Sequence, residues 1–302
     1  MDIKQINYIL AIAEEGGVTK AAKKLYITQS ALDQQLIKLE KDLGVQLFVR
    51  SRNSFVPTTA GKVYVEYAKR IVSIKNEAYL KIQDIAEQKK STLTMALAPE
   101  RGMDMFLAIY PRFYHSYPQV TITPRDISVK KQIEMLQKDE LDLAFLSVKD
   151  DNIPSIVSEH LSKEEFFLIT PKNHPLAEKV APYGQPHTIL QAEDLKDLSY
   201  CLMYRESTQR EVIDPIFKEY DIEPNIILET TSNRANISIV EKGLACSIVP
   251  KFYVKQNHNV ACFRLSTRPT WNISVCYRNN RYQSKAAQYF IELAKEYFES
   301  IK

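Results

Sequence analysis

The chain has 302 residues, 45% hydrophobic and 25% charged, a globular composition that excludes disordered, collagen-like and disulfide-stapled proteins and, at this length, points to more than one domain. Its seven glycines form neither G-x-G-x-x-G nor G-x-x-x-x-G-K-[ST], which excludes the usual phosphate cradles, and four cysteines without C-x-x-C and five histidines without H-x-x-x-H give no metal site. The net charge of +3 is uneven: residues 1–90 hold 15 Lys and Arg against 10 Asp and Glu and the remainder 25 against 27, so a basic head with an anionic partner precedes a slightly acidic body.

The opening Met1-Asp2-Ile3-Lys4 is not that of a secretory signal, and no apolar run approaches the ~18 residues of a membrane span, so a cytoplasmic chain without a membrane partner is expected. Ile6, Ile9, Leu10 and Ala13 recur at helical spacing until Gly16-Gly17. A second, short helix is expected from an N-cap at Thr19 through Leu25, and Thr28 caps a third after the break Tyr26-Ile27-Thr28. In the third helix Leu32, Leu36, Leu39 and Leu43 make one buried stripe ending at Gly44. Opposite it lie Gln29, Ser30, Asp33, Gln34, Ile37, Lys38 and Lys41, mostly side chains of the kind that read base edges. Arg50-Ser51-Arg52-Asn53-Ser54-Phe55-Val56-Pro57 then reads as a basic hairpin, a wing whose arginines suit phosphates and grooves.

The run Val18-Thr19-Lys20-Ala21-Ala22 through Thr28-Gln29-Ser30-Ala31-Leu32, then Leu43-Gly44-Val45-Gln46-Leu47-Phe48, and finally Thr58-Thr59-Ala60-Gly61, resembles the LysR-type transcriptional regulators. Asp139-Glu140-Leu141-Asp142, Thr170-Pro171-Lys172-Asn173-His174-Pro175 and Glu241-Lys242-Gly243-Leu244 extend the likeness through the chain. The resemblance implies contacts with double-stranded DNA from Thr19, Thr28, Gln29, Ser30, Asp33, Gln34, Lys38, Arg50, Arg52 and Asn53. Asp33 and Gln34 depart from the family, which usually has serine and a basic residue there, so a cation is lost and an anion gained beside the phosphates.

From Thr58 to about Lys89 the only helix breaker is Gly61, and Tyr64, Tyr67, Ile71, Ile74, Ala78 and Ile82 recur at near-heptad spacing. A helix of that length needs a partner, and the resemblance implies a second copy, in a homodimer or homotetramer. After residue 92 strands and helices alternate: Leu93–Ala98, Met103–Tyr114, Val120–Pro124, Val129–Lys138 and Leu141–Leu146, with a further strand Ser199–Met203. Such an order makes a mostly parallel sheet with ligands at the carboxyl ends of its strands. The loops there supply the candidate effector residues Pro99, Glu100, Arg101, Ser128, Val129, Ser147, Tyr204, Arg205, Ser207, Thr231 and Val249.

The resemblance thus implies an α+β multi-domain chain without a cofactor: a winged helix-turn-helix at 1–57, a linker helix at 58–90, and a two-lobed α/β effector-binding domain, similar to periplasmic binding proteins, at 91–302. Lobe I would span about 91–161 and 267–302, and lobe II about 162–266. Two rival functions are an enzyme using Glu100, Arg101, Arg205 and Glu206, which lacks any motif for a nucleophile or metal, and a solute-binding transport protein, which would not carry residues 1–57.

Overall fold

A computed structural model describes residues 2–50, 55–86, 91–98, 100–182, 184–254 and 259–301. The chain divides into two compact units: residues 1–88 with 138–140, and residues 89–137 with 141–302.

In the first unit α1 (Ile3–Glu15) starts at Asp2, whose side chain accepts the Gln5 N–H at 2.7 Å, and stops at Gly16. Helix α2 (Val18–Lys24) begins at Gly17, not at Thr19, because the Thr19 hydroxyl is committed elsewhere. Thr28 caps α3 (Gln29–Leu43), accepting the Ala31 N–H at 3.2 Å. Leu32, Leu36 and Leu39 are buried against Ile9, Ile12, Ala21 and Ala22. Leu43 is exposed, correcting the four-leucine stripe: the helix ends at Gly44, one residue later, and has passed beyond the core. Strands β1 (Phe48–Arg50) and β2 (Phe55–Pro57) pair antiparallel, with Phe48 stacked on Phe55.

The long helix α4 (Thr59–Ile85) is capped by Thr58. A Cβ on Gly61 would lie 1.9 Å from the Leu47 carbonyl oxygen, so only glycine lets α4 start this close to the strand. Tyr64 packs on the head core and Ile71 on Ile6, Leu10 and Ala68, so these two are spent within the unit and leave the expected intermolecular stripe. Tyr67, Ile74, Ala78 and Ile82 remain exposed, joined by Ile85.

The second unit begins with β3 (Ser91–Leu97), α5 (Arg101–Ser116), β4 (Val120–Asp126), α6 (Val129–Gln137) and β5 (Leu143–Val148). The long β6 (Ile156–Pro171) follows, then β7 (Ile189–Leu190), β8 (Ser199–Met203), α7 (Thr208–Glu219), β9 (Asn225–Thr230), α8 (Asn233–Glu241), β10 (Ser247–Pro250) and α9 (Lys251–Val254). It closes with β11 (Val260–Leu265), β12 (Thr270–Arg278) and α10 (Lys285–Ser300). Strands β3, β4 and β5 are parallel, but β12 inserts antiparallel between β5 and the first half of β6, so the sheet is mixed. The second half of β6 pairs with β10 and β11 instead, and β6 thereby crosses from one lobe to the other. Alternation along β5 explains the two covered faces: Leu143 and Phe145 join the core containing α5 and α10, while Ala144 and Leu146 meet α6. Among the described residues no helix is long and apolar enough to cross a membrane.

Candidate functional site

In the first unit, the leucine side of α3 is held by the core, which leaves Gln29, Ser30, Gln34 and Lys38 exposed on the other side with Thr19 and Thr28 beside them. The Thr19 hydroxyl donates to the Gln29 Oε1 at 3.0 Å, tying the start of α2 to the start of α3 and leaving the Gln29 amide N–H groups outward. Asp33 is half-buried and so less freely presented than Gln34. Arg52 and Asn53 lie outside the described residues, as does the side chain of Arg50.

In the second unit a cavity of about 350 Å³ opens between the lobes. Of the expected residues, Arg101, Ser128, Val129, Ser147, Tyr204, Ser207 and Thr231 line it. The starts of α5 and α6 meet there with the starts of α7 and α8, capped by Ser207 and Ser232. Aligned helix N-termini raise the local potential and supply backbone N–H groups.

Three expectations fail. Val249 is fully buried: on β10 it points toward Phe167, Ile169 and Ile237, whereas its neighbour Ile248 faces the main core. Arg205 lies in a separate surface depression with Arg210, Glu211, Asp214 and Lys218, turned to water as a long cation tends to be. Glu100 does not line the cavity either, because its carboxylate accepts a hydrogen bond from Ser232. Pro99 lies outside the described residues.

Sequence reasoning missed Lys130, Gln209, Asn233, Tyr253 and Trp271 on the cavity wall. Asn233 follows directly on the Thr231-Ser232 loop, so neighbourhood was a usable signal. Tyr253 and Trp271 arrive from α9 and β12, and only the crossing of β6 brings those elements to the cleft. At that crossing Glu164 pairs with Arg101 and also accepts from the Trp271 Nε1 at 2.9 Å and the Phe252 N–H at 2.8 Å. The Arg101 guanidinium lies over the rings of Phe252 and Phe298, 4.7 and 5.3 Å from their centroids. Its charge is therefore already balanced inside the protein. Burial, with Glu100 beside it, pushes the Tyr253 hydroxyl above its usual range, so it stays a proton donor at neutral pH.

Burial pushes Cys246 up to about 12 and Cys262 and Cys276 up to about 11 and also raises Cys201, so all four are protonated at neutral pH. Among the described residues no cluster of three or more His, Cys, Asp or Glu could hold a metal ion.

Residues 3–62 match the model of the bacterial regulatory helix-turn-helix proteins of the lysR family, and residues 86–299 match the LysR substrate binding domain. The chain belongs to the LysR family of transcriptional regulators. This LysR-type regulator is 26% identical over 297 residues to a probable RuBisCO transcriptional regulator of Phaeodactylum tricornutum, covering 95% of this chain and 94% of that one. Its fold matches a full-length OxyR variant from Pseudomonas aeruginosa with a TM-score of 0.72 at 20% identity, covering 98% of each chain. It also matches full-length CbnR complexed with its target DNA, with a TM-score of 0.62 at 25% identity, over 98% of this chain and 99% of that one. This LysR-type regulator thus joins a DNA-binding helix-turn-helix to an effector-binding domain.

Proposed function

We propose that α3 enters the major groove of duplex DNA with Gln29, Ser30, Gln34 and Lys38 toward the bases, flanked by Thr19, Thr28 and the β1–β2 wing. The observation that carries this reading is the two-sided α3: three leucines fully engaged in the core and an opposite, exposed face of hydrogen-bonding side chains, of which Gln29 bonds to Thr19 and Ser30 to Thr28. Because Thr19 takes the Gln29 carbonyl oxygen, Gln29 offers N–H donors, which suits acceptor atoms such as guanine N7 and O6 or thymine O4. The exposed α4 stripe of Tyr67, Ile74, Ala78 and Ile82 joins two copies, so two recognition helices address two half-sites as a dimer or a larger homo-oligomer.

A small molecule in the interlobe cavity favours one lobe arrangement over another, and that preference changes DNA affinity or bending by linkage. The cavity acts in recognition and not in catalysis, and the protein works in the cytoplasm. Trp271 is the only tryptophan and stands on the cavity wall, so its fluorescence reports occupancy directly. The test titrates the full chain with candidate metabolites while following Trp271, and separately measures binding to the duplex upstream of its own gene across salt concentrations. Duplex affinity that neither exists at low salt nor falls with added salt would overturn the DNA reading.

A further inference from the structure

The polar side of α3 contains one large side chain that can neither donate nor accept a hydrogen bond. Ile37 is 50% exposed and stands among Ser30, Gln34, Lys38 and Lys41, all of them exposed and polar. From Ser30 the positions Gln34, Ile37 and Lys41 follow at i+4, i+7 and i+11, so they lie along one side of the helix, away from the buried Leu32, Leu36 and Leu39. Among the described residues Ile37 belongs to neither hydrophobic cluster of the head, although the half-buried Tyr8, Leu25, Ile27 and Phe55 are all gathered there.

Neither helix formation nor burial accounts for an isoleucine at this place. A β-branched side chain is a poorer helix former than the lysine or glutamine beside it, and the half of it left in water gains nothing from the hydrophobic effect. A lone apolar residue is ordinary on a protein surface. Ile37, however, lies on the very side of α3 that the DNA reading turns toward base edges. In the major groove those edges present hydrogen-bond donors and acceptors together with one apolar group, the 5-methyl of thymine. A polar side chain gains nothing from that methyl, whereas isoleucine buries it together with its own exposed half. In a helix isoleucine is held to essentially one χ1 rotamer, so its branched surface stands in a fixed place and little side-chain freedom is lost on contact.

Resting on the DNA reading above, we infer that Ile37 packs on the 5-methyl group of a thymine in each half-site and so makes the protein discriminate thymine from uracil and cytosine at that position. Ile37 is then a specificity-determining residue that acts by apolar contact, where Gln29, Ser30, Gln34 and Lys38 act by hydrogen bonds.

The full chain is used to enrich a site from a duplex pool with randomised half-sites, and each thymine of the enriched site is then replaced singly by deoxyuridine, which removes the methyl and leaves O4 and the base pairing unchanged. Affinities are read by fluorescence anisotropy at one fixed salt concentration. With the unaltered protein, one thymine in each half-site loses roughly three- to tenfold in affinity on that replacement, the amount expected for one methyl group no longer buried. Ile37→Ser, which matches isoleucine in helix propensity, binds the thymine and uracil duplexes equally at that position, and Ile37→Val keeps the discrimination. Circular dichroism melting and light scattering find the serine variant folded and of the same mass as the unaltered protein. The inference is overturned if no thymine of the enriched site responds to loss of its methyl, if Ile37→Ser retains the response, or if that variant changes mass, which would make Ile37 a contact between copies. Salt-sensitive duplex binding without any methyl response removes only this inference, whereas failure to enrich any duplex removes the DNA reading with it.

Discussion

Replacing Glu164 by alanine should unfold the second unit far more readily than the loss of one surface-like contact would suggest. The carboxylate is buried and serves Arg101, the Trp271 Nε1 and the Phe252 N–H at once. Its removal leaves a cation that is itself 7% exposed, at a cost of about 3–5 kcal/mol for a broken buried pair. Two donors also lose their acceptor, at about 1–3 kcal/mol each if water does not replace it. These costs overlap, because water that reaches one group reaches the others, so a total of about 4–6 kcal/mol is expected. Glu164→Gln retains an acceptor and removes only the charge, and should cost roughly half of that. Arg101→Met combined with Glu164→Leu should cost less than Glu164→Ala alone, since both charges leave together and methionine still meets the rings of Phe252 and Phe298. The assay is urea unfolding read by the single tryptophan, which reports this unit alone. With a slope of about 2–3 kcal/mol per molar urea, the Glu164→Ala midpoint should fall by roughly 2 M. A fall below about 0.5 M, or a double variant as unstable as the single one, would refute the reasoning, because the network would then be contributing little.

Ile74→Glu should leave the fold intact and yield monomers by light scattering, as Ile74 is 67% exposed, whereas Ile71→Glu should destabilise the head itself by placing a charge among Ile6, Leu10 and Ala68. Identical behaviour of the two variants would contradict this division of the helix. Gly61→Ala should destabilise the head by several kcal/mol, at or above the ~1–3 kcal/mol typical of overpacking, because a Cβ 1.9 Å from a backbone carbonyl requires α4 to move; circular dichroism melting of the full chain reads it. Thr28→Ala should cost about 0.5–2 kcal/mol through the lost cap of α3 and weaken DNA binding on every sequence, as measured by fluorescence anisotropy. Partial desolvation against Phe167, with the charges of Arg264 and Lys251 nearby, holds the largely exposed His187 below its usual 6.5, so the unfolded chain takes up this proton first; the contribution, small at so exposed a site, is complete above about pH 6.5 and lost as pH falls toward the folded value, and His187→Gln should flatten that part of the stability profile.

Much of the first unit was legible from residue order because its determinants are local. The Thr28 cap, the Gly16 and Gly44 stops and the spacing of Leu32, Leu36 and Leu39 each act within one or two helical turns. Local logic also misled where a side chain had two uses: Thr19 looked like a cap, but its hydroxyl is drawn ten residues along the chain to Gln29. Periodicity likewise placed Tyr64, Ile71 and Ile74 on one stripe, although period alone cannot say which part of a stripe meets α1 and which remains exposed.

The sequence by itself determined the family, with its helix-turn-helix ahead of an effector-binding domain, since motif order is legible along the chain. Only the tertiary structure decided which loop residues face the cavity. Strand alternation buried Val249, a turn carried Arg205 to another surface, and the crossing of β6 brought Trp271, Tyr253 and Glu164 to the same place from distant parts of the chain. The physical reason is that a helix or turn is specified by neighbours a few residues away, whereas the second unit's interior is specified by contacts between elements far apart in the chain, as in the bonds of Glu164 to Phe252, 88 residues away, and of Glu100 to Ser232, 132 residues away.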